Sequence, residues 1–381
     1  MRILLVCDDF PSAFAGGTAT STMYLALGLG ALGHDVVLAW PEDPEQLPLP
    51  NVRQIRIPGK KFQLDSKNHL VMALPITQAT LPQNWIPEVV HSMQPTPISL
   101  ALKWQTRRWG VPLLLSMHNL IEQTFSPFLQ APLSLWSPWM YRLADLTIVP
   151  SAFAARYANQ HYRLKRHAEI LSNSIDLTNL RSQIVLLERP TLQNRTIKLC
   201  SAISLLPYKN PMMMLEIIAA LVTRGLDITL NLAGKGPMRP ELEVKAAALG
   251  MSERVRFLGA LEQPELLRLM QRSDAFLLTS RMEVQPMVLI EAKAMGTPAF
   301  VSDAALNGGK DLVRHGVDGL LFPVDDLEQA VQLIYQCLTQ PEQLGRMAKA
   351  AYADAANYDM SAIAQTAIGV YQQAILELRQ A

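Results

Sequence analysis

The chain has 381 residues, 49% of them hydrophobic, and its 34 basic and 33 acidic side chains leave a formal net charge of +1; that length implies two domains, and the charge balance argues against a nucleic-acid protein, which would carry a basic excess. Cys7, Cys200 and Cys337 are too scattered for a disulfide framework or a zinc pattern and read as buried thiols of a reducing compartment. The opening MRILLVCDDF is too short in apolar residues for a signal peptide, and no run approaches the roughly 20 apolar residues of a membrane span, so a cytoplasmic protein is expected.

Ile3 to Cys7 is an unbroken apolar run bounded by Asp8 and Asp9, the pattern of a parallel strand buried on both faces. In the loop that follows, Gly16 and Gly17 either let the backbone approach a phosphate or sugar or make a plain strand-to-helix turn. Thr18 to Leu32 reads as a helix capped by Gly33, and Val36 to Trp40 as a second strand, the opening of a doubly wound domain. Gly28, Gly30 and Gly33 spell G-x-G-x-x-G but end a helix instead of opening one, so they are no dinucleotide fingerprint. Residues 41–60 are proline-rich loop, and 61–88 lack periodicity. Val89 to Ser92, Leu113 to Ser116 and Leu146 to Val149 read as strands, Ile98 to Trp109 as a helix. His118 therefore stands at the carboxyl end of a parallel strand, where open α/β sheets bind ligands. His91 also lies beside a strand.

A linker is expected within 178–195, after which strands and helices alternate again. Ile197 to Ile203 and Leu230 to Ala233 are strands, and the second leads into Gly234-Lys235-Gly236-Pro237. Glycines there let the backbone come near a nucleotide; no Lys-Ser or Lys-Thr follows, so this is not a Walker loop. Val255 to Leu258 and Ala275 to Leu278 are further strands, with a helix from Glu265 to Gln271 between them. The stretch 280–298 then forms a loop with Ser280, Arg281 and Glu283 and a helix over Met287 to Met295. Pro286 suits the first turn of that helix, and Gly296 with Pro298 stops it. The backbone at Pro286, Met287 and Val288 is placed to seat a diphosphate on unpaired N–H groups at the positive end of the helix dipole. Glu291, about a turn and a half along, could accept both hydrogens of a ribose diol, and Glu283 could accept hexose hydroxyls. Ala299 to Val301 is a strand, Asn307 to Asp311 starts another helix, and helices fill 326–338, 341–356 and about 361–379.

The pattern S-x-x-E, seven residues, E-A-x-A-x-G-x-P over Ser280 to Pro298 resembles the signature of retaining glycosyltransferases of family 4. The two glutamates match, whereas the family's E-G-F-G reads Glu283-Val284-Gln285-Pro286. Ser204 to Asn210 resembles the family's R-L-x-x-x-K-G, with Lys209 matched and Ser204 at the arginine position. Ser172 to Asp176 resembles its N-G-V-D segment, and Gly316 to Phe322 its hairpin-like D-G-x-x-G-x-L end. The resemblance implies an α/β GT-B fold: two Rossmann-like doubly wound domains facing an interdomain cleft. The expected domains are 1–185 on the acceptor side and 186–360 on the nucleotide-sugar side, with the terminal helix 361–381 packing back on the first. It also implies transfer of a hexose from a nucleotide diphosphate sugar with retained anomeric configuration, and neither metal nor cofactor. Catalytic roles fall to Glu283 and His118, which orient the hexose, and to Lys209, which neutralises the diphosphate. Donor contacts fall to Glu291, Gly16, Gly17, Gly234, Gly236, Pro286, Met287 and Val288, with Arg281 as a substitute for the arginine missing at Ser204.

For the acceptor, Lys103-Trp104-Gln105-Thr106-Arg107-Arg108-Trp109, together with Trp136, Trp139 and the cluster Arg163, Lys165, Arg166 and His167, fits either a membrane surface or solvated basic patches. His118 to Glu122 resembles lipid glycosyltransferases of the family. The expectation is a lipid, lipid-linked or glycan acceptor, no nucleic acid, and a peripheral position at the inner face of the membrane. The alternatives are an inactive glycosyltransferase-like binding subunit, suggested by Ser204, and a GT-B epimerase or phosphorylase.

Overall fold

The computed structural model describes residues 1–7, 17–40, 49–57, 59–63, 69–73, 81–120, 138–183 and 195–380. They divide into two compact units, Met1–Ser174 with Asp359–Ala381, and Ile175–Tyr358. The division expected at 185/186 lies outside the described residues; the chain changes unit at Ser174/Ile175 and again at Tyr358/Asp359.

Unit 1 is built on seven strands: β1 (Arg2–Val6), β2 (Asp35–Trp40), β3 (Val52–Arg56), β6 (Val89–Ser92), β7 (Leu113–Ser116), β8 (Leu146–Val149) and β9 (Glu169–Ile170). They pair in parallel in the order β3-β2-β1-β6-β7-β8-β9. The continuous apolar runs follow from burial on both faces. Ile3 and Leu5 point into one core with Leu38 and Trp40, whereas Leu4 and Val6 point into the other with Val37 and Val90. Helices α1 (Gly17–Ala31) and α11 (Met360–Gln380) cover the first core, and α2 (Pro97–Trp109) covers the second. Gly28 explains the near approach of α1 to α11, since a Cβ there would collide with the Met360 carbonyl. Of the G-x-G-x-x-G spelling, Gly28 and Gly30 thus serve packing, and Gly33 (φ +80°) turns the chain after the helix. The stretch read as aperiodic contains an antiparallel pair, β4 (Gly59–Gln63) and β5 (His69–Ala73).

Unit 2 repeats the plan with six parallel strands in the order β12-β11-β10-β13-β15-β17. These are β10 (Ile197–Ala202), β11 (Ile228–Ala233), β12 (Val255–Gly259), β13 (Ala275–Leu278), β15 (Ala299–Ser302) and β17 (Gly319–Phe322), and a short parallel pair joins β14 (Met282–Glu283) to β16 (Leu306–Asn307). The helices are α3 (Ala152–His161) in unit 1, then α4 (Leu177–Ser182), α5 (Pro211–Thr223), α6 (Arg239–Ala248), α7 (Gln263–Gln271), α8 (Met287–Ala294), α9 (Leu327–Leu338) and α10 (Pro341–Asp354). Two expectations are corrected. Gly316 to Phe322 is no hairpin: after a turn at Gly316 (φ +76°), Gly319 to Phe322 joins β15 in parallel as an edge strand. Asn307 to Asp311 forms only a short 3-10 turn, Gly308–Leu312.

No described helix is long and apolar enough to cross a membrane, and Cys7, Cys200 and Cys337 are buried and form no disulfide.

Candidate functional site

In unit 2 the strand order reverses between β10 and β13, so the loops leaving their carboxyl ends diverge and open the crevice where doubly wound sheets bind ligands. Lys209 comes from the first of these loops and Glu283 from the second. The structure joins them: Lys209 Nζ lies 2.6 Å from Glu283 Oε1, with side chains 16% and 8% exposed. Ser280 Oγ donates to the same carboxylate oxygen at 2.8 Å. Thr279 Oγ1 donates to the Asn210 carbonyl at 2.8 Å and the Arg281 N–H to the Tyr208 carbonyl at 2.8 Å, stapling one loop to the other. Behind them the buried Asn307 amide donates to the carbonyls of Ser280 and Ser302. This cluster holds a cation and a carboxylate against one another.

Glu291 sits on α8, buried, and accepts a hydrogen bond from Gln263 Nε2 at 3.1 Å. Burial pushes its carboxyl up to about 6, against the opposing effect of that bond. Pro286 stands just before α8 with ψ 117°, a cap position and not the first helical turn expected for it; no side chain caps the helix. Met287 and Val288 form the first turn. The 3-10 turn packs over this helix start, because a Cβ on Gly309 would lie 3.2 Å from Pro286 Cγ and from Leu289 Cδ1. Gly234 (φ +130°) and Gly236 lie against the backbone leaving β10: a Cβ at either would collide with the carbonyl of Ile203 or of Leu205. Their packing alone requires glycine, whatever they do for a ligand. The Arg281 guanidinium is engaged by Asp325 at 2.7 Å on the exposed surface, and Ser204 is exposed.

In unit 1, Gly16 lies outside the described residues and Gly17 is the exposed first residue of α1. His118 follows β7 and lines a small cavity of mixed character, with Ser21, His91, Ser116, Asn173 and Ser174 among apolar side chains such as Leu25 and Ile148. Ser21 Oγ donates to Asn173 Oδ1 at 2.9 Å. His118 Nε2 and Ser174 Oγ are buried without a hydrogen-bond partner among the described residues. Burial pushes His118 down to about 4, which keeps its ring neutral at ordinary pH. Gln263 and Ser21 escaped the sequence reading, since nothing in their own surroundings marks them.

Two family models divide the chain between them. Residues 15–179 match Glycosyltransferase Family 4, and residues 187–354 match Glycosyl transferases group 1. The chain belongs to the GT-B glycosyltransferases. This glycosyltransferase is 31% identical over 160 residues to the alpha-D-kanosaminyltransferase of Streptomyces kanamyceticus, covering 42% of this chain and 41% of that protein. It is 25% identical over 387 residues to the phosphatidyl-myo-inositol mannosyltransferase of Mycobacterium leprae, covering 98% and 96%. Of several other curated relatives, as of the kanosaminyltransferase, it spans only 41% to 66% of the length. The crystal structure of Anabaena Alr3699/HepE in complex with UDP and glucose superposes with a TM-score of 0.72 at 19% identity, over 98% of this chain and 100% of that one. That likeness shows the same fold.

Proposed function

We propose that this glycosyltransferase moves a hexose from a nucleoside diphosphate sugar to an acceptor, with retained anomeric configuration and without a metal ion. The observation that carries the reading is the Lys209–Glu283–Ser280 cluster at the switch point of unit 2, beside the start of α8. A diphosphate seated on the first N–H groups of α8 meets the positive end of the helix dipole. Lys209 supplies the full charge that the departing diphosphate needs. Lys209 and Glu283 compensate one another. As the diphosphate draws Lys209 away, the Glu283 carboxylate becomes free to accept hexose hydroxyls. Glu291, once ionised, accepts the ribose diol. In unit 1, neutral His118 is assigned to the hexose as well. The reaction is then a front-face displacement in which the leaving phosphate takes the acceptor proton, and rate comes from positioning and charge stabilisation.

The acceptor is proposed to be lipid-linked. The relative from M. leprae is by name a phosphatidyl-myo-inositol mannosyltransferase. On the outer face of α2, Leu100 and Trp104 are 42% and 57% exposed, and Arg108 stacks on Trp104 at 4.7 Å. Apolar and cationic groups on one helix face suit the headgroup region of an anionic membrane, which fits a peripheral position at its inner face.

The test is turnover of UDP-, GDP- and ADP-sugars, with and without membrane lipid extract and EDTA. Expected is nucleoside diphosphate release from one donor that rises with lipid and survives EDTA, with UDP-glucose the first to try because a similar structure holds UDP and glucose. The anomer of the product, read by NMR, decides retention. Ser204 and the engagement of Arg281 by Asp325 favour a second reading, a nucleotide-sugar-binding subunit without activity. Binding without release would establish it, and conversion of donor without acceptor would mark an epimerase.

A further inference from the structure

His91 is a fully buried histidine in β6 that the proposed reaction does not use. Its Nδ1 lies 2.8 Å from the Tyr371 hydroxyl and its Nε2 2.7 Å from Ser116 Oγ. Tyr371, on α11, is wholly buried and meets the imidazole edge-on, with centroids 5.7 Å apart. Ser116 is the last residue of β7, two positions before His118, and both line the small cavity. Residues two apart along an extended chain project to the same side, so a displacement of Ser116 carries His118 with it.

Polar groups buried this deeply are costly unless each is paired, and an apolar trio of the same shape would serve a core as well. The directional pairing is instead concentrated at the strand end that bears His118. Burial pushes His91 down to about 3, so its ring is neutral and carries a single N–H. One nitrogen donates and the other accepts, so the bonds from Tyr371 to Ser116 run in one sense along the chain, whichever tautomer the ring takes.

We propose that His91 is a positioning residue for His118, clamping the carboxyl end of β7 to Tyr371 of α11 through Ser116. The proposal rests on the assignment of His118 to the hexose. Three variants test it: Tyr371→Phe, which deletes one oxygen; His91→Ala, which deletes the link; and His91→Gln, whose amide carries both a donor and an acceptor and can still join Ser116 to Tyr371. The readouts are kcat and donor KM, the affinity for UDP, and the 15N resonances of the His118 ring. Tyr371→Phe and His91→Ala should lower kcat about tenfold while donor KM and UDP affinity stay unchanged, and the His118 resonances should shift. His91→Gln should recover most of the rate. If His91→Ala does not fold, Tyr371→Phe still decides. Unchanged kcat and unchanged His118 resonances, with only a lower melting temperature, would overturn the proposal in favour of a packing role. Should the native protein bind UDP yet transfer nothing, the functional reading fails by itself, and the His118 resonances still accept or reject the clamp.

Discussion

Glu291 links the donor site to pH. Its folded carboxyl is held at about 6, above the ordinary 4.5, by burial. Between those values the folded protein keeps a proton that the unfolded chain has released. The stability this gives is complete below the unfolded value and lost as pH rises through the folded one, a loss of about 2 kcal/mol. Glu291→Gln should therefore be more stable than the native protein at neutral pH, by about 1–2 kcal/mol in urea unfolding. Nucleotide binding carries the opposite sign, because the ionised form accepts both ribose hydroxyls. Calorimetric titration with UDP should tighten as pH rises through about 6, and Glu291→Gln should bind more weakly and without that dependence. A variant that binds UDP as the native protein does would remove Glu291 from the ribose. Glu283→Ala should behave differently: it frees Lys209, so UDP binding holds or tightens while turnover falls at least tenfold. Both glutamates were legible in the sequence because their spacing and the A-x-A-x-G-x-P tail form one local pattern. Their pairings were not. Gln263 precedes Glu291 by 28 positions and Lys209 precedes Glu283 by 74, and only the switch-point topology brings such distant loops together.

The helix that bears Glu291 is held by its far side. Lys293, 2% exposed, lies 2.6 Å from Asp354 at the end of α10 and 3.1 Å from Asp318, which also holds Arg314 at 2.7 Å. Removing the cation leaves Asp318 in a dry site with only Arg314 from the rim, so Lys293→Ala should cost about 3–5 kcal/mol. Urea unfolding checks this, and a cost below about 1 kcal/mol would show that Arg314 alone suffices. The element pattern itself was readable where burial is two-sided. β1, β7 and β13 are continuous apolar runs because each face meets a core. β3, with the sequence VRQIR, was missed because an edge strand keeps polar residues on its open side. The parallel course of β17 was misread because a turn glycine before a short apolar segment looks the same whether the strand turns back on its neighbour or passes alongside.

The two units should respond to acid in opposite senses. Unit 1 holds His91, fully buried, and His118, half-buried with its Nε2 shielded from water, as neutral rings, lowered from 6.5 to about 3 and about 4. For both, the unfolded chain binds the proton first as pH falls, so the stability is present above the unfolded value and lost as pH drops toward the folded one. From pH 7 to pH 5.5 two such rings cost unit 1 about 3 kcal/mol. Unit 2 carries Glu291, whose raised carboxyl adds about 1 kcal/mol over the same range. Against a typical domain stability of about 5–15 kcal/mol, the difference is large enough to separate two melting transitions. Differential scanning calorimetry at falling pH should therefore show one transition moving down steeply while the other holds. Limited proteolysis at about pH 5.5 should cleave Met1–Ser174 before Ile175–Tyr358. His91→Gln should flatten the descent of the lower transition by about half, because one of the two titrating rings is gone. A single transition that keeps its shape and position across this range would mean that neither imidazole is buried as the structure places it.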